Sequence, residues 1–169
     1  NALGSGLMET RALLSFLPRI ARELQGEELK LPSIATWWCG QQGERDHVLA
    51  NIDHMVVGPA LSTRLAFEDD GATRLGSSLS AGERAELVAR IEADGAGFVG
   101  QEAVTLSTTP VFVGDQLEPR PASLRVYLAR TREGWTVMPG GFARVGFSLD
   151  PTAIAMQRGG QAADVWVVS

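Results

Sequence analysis

In "SLRVYLARTREGWTVMP", Ser123 to Pro139, apolar and polar side chains alternate, break off and resume. A period of two puts Leu124, Val126 and Leu128 on one face of a strand, with Arg125, Tyr127 and Ala129 on the other. "TREGW" interrupts the pattern with the charges and glycine of a tight reversal, so the two runs are predicted to pair as a hairpin. Around them, "FVGQEAVTL", "TPVFVG", "FARVGFSL" and "DVWVV" are further strand-like runs set apart by Gly, Pro and Asp. From Phe98 onward a strand-rich, mostly antiparallel lobe is expected.

The first half reads differently. Leu13, Leu14, Leu17, Ile20, Ala21 and Leu24 recur at three and four residues, the mark of an amphipathic helix over 8–24 closed by Gly26. Pro18 should kink that helix or split it in two. Trp37 and Trp38 are expected against the core, and "RDHVLANIDH" as a short helix feeding the strand "HMVVGPA". In "SLSAGERAELVARIEADGAG", Ser80 and Glu83 have the spacing of a capping box, and Leu87, Val88 and Ile91 form its apolar stripe. Helices flanking a mostly antiparallel sheet define an α+β chain. It is expected to be one compact fragment, with a helical lead-in over 1–53, a strand, loop and capped helix over 54–97, and the strand-rich lobe over 98–169.

Composition narrows the chemistry. The 169 residues are 44% apolar and 21% charged with a net charge of -5, which fits a folded core and argues against nucleic acid or an anionic membrane as partner. No apolar run is long enough to span a membrane, and the lone Cys39 cannot form an internal disulfide, so a cytoplasmic setting is expected. Of fifteen basic residues all but Lys30 are arginine, which leaves little for reactions needing an amine nucleophile. His47 and His54 with Cys39 make no familiar zinc set, and Cys39 reads as a buried small side chain. Glu68, Asp69 and Asp70 read as an acidic loop.

Candidate site residues gather in the second half. Gln101 and Glu102 are adjacent on a strand and face opposite ways, so one of them points inward, and an inward Glu would need a partner. Arg120, Arg125 and Arg144 lie on or beside successive strands, where a guanidinium can grip phosphate or carboxylate in a bidentate way. Two glycines in "MPGGF" permit a close backbone approach, by an anion or a packed neighbour.

Together "NALGSGLMETRALLSFLPRIARELQGEELKLPSIATWWCG", "DHMVVGPA", "FVGQEAVTLSTTPVF", "EPRPASLRVYLA", "VMPGGFARVG" and "GGQAADVWVV" resemble, in order, circularly permuted ATP-grasp domains of the bacterial family related to glutathionylspermidine synthetase. The resemblance implies part of a permuted ATP-grasp fold, the C-terminal portion of a longer protein whose upstream portion completes the site. It implies an ATP-dependent carboxylate–amine ligase working through an acyl phosphate with ATP and Mg, inactive as this fragment alone. Small carboxylate and amine substrates would be its partners. By the same resemblance Asn1 and Glu9 belong at the metal end, Gln101 and Glu102 beside the nucleotide, and Arg125 and Arg144 around the phosphates or acceptor. Arg64 and Arg120 are further nucleotide-binding candidates.

Three positions depart from the family pattern. A basic residue is expected where Gly58 stands, a lysine at Ala163 and an aspartate at Ser123. Arg64 is the nearby candidate to replace the charge at Gly58. The departures support an alternative, a degenerate ATP-grasp domain with a nucleotide-binding, protein-binding or structural role.

Overall fold

The computed structural model describes residues 3–64, 71–147 and 160–167. The chain divides into two compact units, 1–104 and 105–169. Strand Phe98–Glu102, expected to open the strand-rich lobe, belongs to the first unit, because both its partner strands lie there.

The helix expected over 8–24 is three pieces: α1 (Ser5–Met8), α2 (Arg11–Leu14) and α3 (Leu17–Gln25). The breaks precede Pro18, which occupies the first turn of α3, where its missing N–H removes no helical bond. Tertiary bonds account for the first break. The amides of Arg11 and Ala12 donate to the carbonyls of Ser62 and Ala60, each at 2.9 Å, instead of to a preceding helical turn. Gly26 closes α3 at φ 68°, a left-handed conformation suited to glycine.

Beyond it run β1 (Thr36–Trp38), α4 (Gln42–Ala50), a 3-10 turn at Ile52–His54, β2 (Met55–Pro59), β3 (Arg74–Leu75), α5 (Ala81–Ala93) and β4 (Phe98–Glu102). The strands form one antiparallel sheet in the order β1-β4-β2-β3. Cys39, Val48, Ile52, Met55, Val57, Leu87 and Ile91 make a single buried cluster, with Trp37, Val88 and Phe98 packed on it. Each aliphatic side chain fully buried there contributes about 1.5–3 kcal/mol. The stripe read on α5 meets the core as expected. Trp38 packs edge-on against Phe16, ring centroids 5.9 Å apart, and its indole N–H donates to the Ala96 carbonyl at 2.9 Å.

The second unit contains β5 (Thr108–Val113), β6 (Gln116–Thr131), β7 (Gly134–Val145) and β8 (Gln161–Val165), paired antiparallel in that order. The hairpin read from the sequence is β6–β7, closing at Thr131 and Gly134. "MPGGF", read as punctuation between two strands, lies inside β7; the pairing skips there, from Val126–Gly141 to Leu128–Val137, and resumes. This irregularity absorbs Gly140, at φ 145°.

The capping box at the start of α5 is fully formed. Glu83 N donates to Ser80 Oγ at 3.4 Å, while the Glu83 carboxylate accepts from Ser80 N at 2.9 Å and from Ser80 Oγ at 2.6 Å. The Ser80 hydroxyl, then its amide, hold the Glu83 carboxyl below its ordinary range. A lowered folded-state value adds stability above the unfolded value, and that stability is lost as pH falls through the folded one. Ser80→Ala is expected to cost about 1 kcal/mol at neutral pH, as loss of a hydroxyl cap does. In denaturant titrations the gap between variant and parent should narrow as pH is lowered through the carboxylate range.

Candidate functional site

Arg125 and Arg144 stand on the same face of the β6–β7 hairpin. Arg125 is directly opposite Phe142 and Ser123 directly opposite Arg144, so the arginines are diagonal neighbours, a separation long side chains can span. The Arg125 guanidinium lies 5.6 Å from the centroid of Phe142, and Tyr127 sits 6.2 Å from the same ring. A ring face attracts a cation and restrains its orientation while leaving N–H groups to donate. Asp164 of β8 is opposite Phe142 and completes the row. Chemically, the face offers a fork-shaped cation on an aromatic platform with a second arginine alongside, a set suited to a phosphate or carboxylate.

The glycines of "MPGGF" have a structural use. A Cβ on Gly141 would overlap the Arg125 carbonyl oxygen, so the absent side chain lets β7 lie against β6 where Arg125 is carried. Of the two uses read from the sequence, this is the packed neighbour.

Arg120 is differently placed. It shares β6 with Glu118, two residues away on the same face, and the pair closes at 2.7 Å. Its guanidinium is thus engaged by a carboxylate of its own strand.

The remaining candidates lie in the first unit. Of the adjacent pair on β4, Gln101 is the inward residue at 3% exposure, and its Nε2 donates to Thr36 Oγ1 at 3.1 Å. Glu102 is exposed at the strand's end, so no carboxylate is buried there. An amide is the cheaper group to bury, because one hydroxyl partner reduces its desolvation cost and no charge is involved.

Gly58 is buried on β2, but the space beside it is filled. A Cβ at 58 would overlap Nη1 of Arg11 and lie 2.8 Å from Thr73 Oγ1. Arg11 is 3% exposed; its Nε donates to the Arg64 carbonyl and its Nη1 to Thr73 Oγ1, both at 2.8 Å. The guanidinium nearest Gly58 therefore comes from α2, while Arg64 has an exposed side chain and contributes its backbone oxygen. Arg11 had no signal in the sequence, where an arginine in an amphipathic run reads as solvated.

Asn1 lies outside the described residues, as do Glu68, Asp69 and Asp70. Glu9 is exposed at the C-terminal cap of α1. No group of three or more His, Cys, Asp or Glu suited to a metal ion occurs among the described residues. The described residues thus fit a polyphosphate better than they fit Mg, and no chemical step is routed through a metal here. No helix among them is long and apolar enough to cross a membrane.

Two antiparallel sheets with a few helices agree with the ATP-grasp class of protein. The sequence pattern of circularly permuted ATP-grasp type 2 proteins matches residues 1–146, and the chain belongs to that family. It is 33% identical over 168 residues to an uncharacterised protein of Mycobacterium tuberculosis, covering 99% of this chain and 18% of the relative. An uncharacterised Synechocystis protein is 30% identical, with 99% and 34% covered. A Frankia casuarinae protein named "Putative glutamate--cysteine ligase 2-2" is 32% identical, with 99% and 19% covered. The chain therefore spans between 18% and 34% of the length of these three relatives.

Gly141→Ala should force β6 and β7 apart beside Arg125, at a cost of about 1–3 kcal/mol, read as a lowered thermal midpoint. Cys39, fully buried, has its thiol pushed up from 9.0 to about 11, burial being the main cause. A raised value favours the neutral thiol, so this stabilisation holds below pH 9.0 and fades as pH rises toward 11. Alkylation by iodoacetamide at pH 8 should be much slower in the folded protein than in urea, because burial both keeps the thiol protonated and shuts out the reagent.

Proposed function

We propose that this chain is part of an ATP-dependent carboxylate–amine ligase that works through an acyl phosphate. The observation that carries the reading is the diagonal pair Arg125 and Arg144 on one sheet face, with Arg125 held over Phe142. In such a reaction a substrate carboxylate oxygen attacks the γ-phosphorus of ATP and ADP leaves. The amine nitrogen then attacks the acyl carbon, phosphate departs, and the nitrogen loses a proton. Negative charge gathers on the phosphoryl oxygens throughout, and guanidinium groups fixed in advance stabilise it without reorganising. Membership of the ATP-grasp family and similarity to relatives named as glutamate–cysteine ligases support the reading.

In this reading Arg125 and Arg144 grip phosphate or acceptor carboxylate, and Phe142 and Tyr127 limit how far Arg125 swings. Gln101 acts through the strand, fixing β4 against β1 by its bond to Thr36. The site is completed by parts of the protein beyond this chain, so the chain alone is not expected to turn over.

Calorimetric titration of the full-length protein with ATP, in the presence of magnesium, tests the reading. Arg125→Ala and Arg144→Ala should each weaken binding by about ten- to a hundredfold, as loss of a charge-assisted hydrogen bond does. Absence of binding with both magnesium and manganese would overturn the ligase assignment, and an unchanged affinity in either variant would remove that arginine from the site.

A further inference from the structure

The space beside Gly58 has two properties that belong together. It lacks a side chain from its own strand, and it holds the head of an arginine from another element. A Cβ on residue 58 would overlap Nη1 of Arg11, so the glycine and the guanidinium fit only as a pair. The guanidinium also joins two distant points of the chain between β2 and β3, taking the Arg64 carbonyl through Nε and the Thr73 hydroxyl through Nη1. Two backbone bonds fasten the same helix to the exit of β2, from the amides of Arg11 and Ala12 to the carbonyls of Ser62 and Ala60. Beyond Thr73 the chain pairs back onto β2, Arg74 opposite Val57 and Leu75 opposite Val56.

We propose that Arg11 is a positioning residue: its guanidinium takes the side-chain volume of position 58 and clasps both ends of the segment that connects β2 to β3. A planar fork with several N–H groups suits this work, since the two acceptors lie in different directions and both must be met from one head group. A lysine at 11 has a point charge on a flexible stem and cannot hold both in fixed geometry. At 3% exposure the Arg11 head is a poor direct contact for a ligand in solvent, so its effect on any ligand is transmitted through the segment it holds. That last consequence rests on the ligase reading; the clasp itself does not.

The test is a double-mutant cycle in the full-length protein, with hydrogen exchange as a second readout. Gly58→Ala and Arg11→Ala should each lower the folding equilibrium constant by about tenfold or more. The double variant should fall short of the product, because once the guanidinium is gone the added methyl meets only the Thr73 side chain. Arg11→Gln should speed exchange of amides in Arg11–Leu14 and Arg74–Leu75 and leave α5 unchanged, and Arg11→Lys should rescue less than half of that change. Additive effects in the cycle, or unchanged exchange at Arg74–Leu75 in Arg11→Gln, would overturn the clasp. If the variants fold too poorly for the cycle, exchange in Arg11→Lys alone decides, with parent-like protection as the refuting result.

ATP affinity separates the two readings. Arg11→Gln should weaken ATP binding by about tenfold without changing its dependence on ionic strength, whereas Arg125→Ala should flatten that dependence, as loss of a direct charge contact does. A flattened dependence in Arg11→Gln would make Arg11 a direct contact and overturn the positioning role. If the parent binds no ATP, the ligase reading fails and the cycle still decides the clasp.

Discussion

Gly100, at the middle of β4, has no side chain, and Val48 of α4 and Met55 of β2 take up the space. A Cβ there would lie 2.7 Å from Val48 Cγ2 and 3.1 Å from Met55 Sδ, so α4 can approach the sheet only because the residue is glycine. β4 is also the one strand of its sheet bonded on one side to β1 and on the other to β2. Trp37 and Val57 are the residues opposite Gly100, and both take part in packing the core. A methyl at 100 would displace the helix, and with it the buried cluster that joins α4, β2 and α5. The register of β4 fixes the neighbouring polar residues as well: Gln101 falls opposite Thr36 and is satisfied, and Glu102 falls at the strand's end in solvent.

Legibility in the sequence follows how local each interaction is. The β6–β7 hairpin, the capping box and the glycine stop of α3 each depend on residues within a few positions of one another, and all three were readable. The division of the N-terminal helix was only half readable. Pro18 signalled a break, but the bonds that turn the chain at Thr10 come from Ala60 and Ser62, about fifty positions on. "MPGGF" misled for another reason: glycine serves both to end a strand and to admit a close neighbour inside one, and only the Arg125 carbonyl opposite Gly141 distinguishes the two.

Two of the candidate arginines and Arg11, which was not one, differ in what the fold sets around them. Arg120 closes on Glu118 within one strand, Arg125 rests on an aromatic ring, and Arg11 is enclosed against a carbonyl and a hydroxyl. A carboxylate partner competes with an incoming phosphate, whereas a ring restrains the cation and leaves its donors available. Of the three, Arg125 is the one whose surroundings favour an anion from outside. Sequence could not draw that distinction, because alternation along β6 assigns Arg120 and Arg125 to opposite faces without saying what each face carries.

The same geometry bears on the departures from the family pattern. Ala163 of β8 pairs with Ala143, while Arg144 pairs with Ala162 and Phe142 with Asp164. Position 163 therefore projects from the sheet face opposite to Arg125 and Arg144, and a lysine there would not have belonged to their set. Gly58 is a strand position without its own cation but with a guanidinium lodged against it from α2, so a larger residue at 58 and an arginine at 11 would exclude one another. The third departure, Ser123, is half-buried opposite Arg144. An aspartate in its place would set a carboxylate against that arginine and hold it from an incoming anion. A neutral serine adds no second carboxylate to the one Asp164 already brings to that face, so this departure is compatible with phosphate binding.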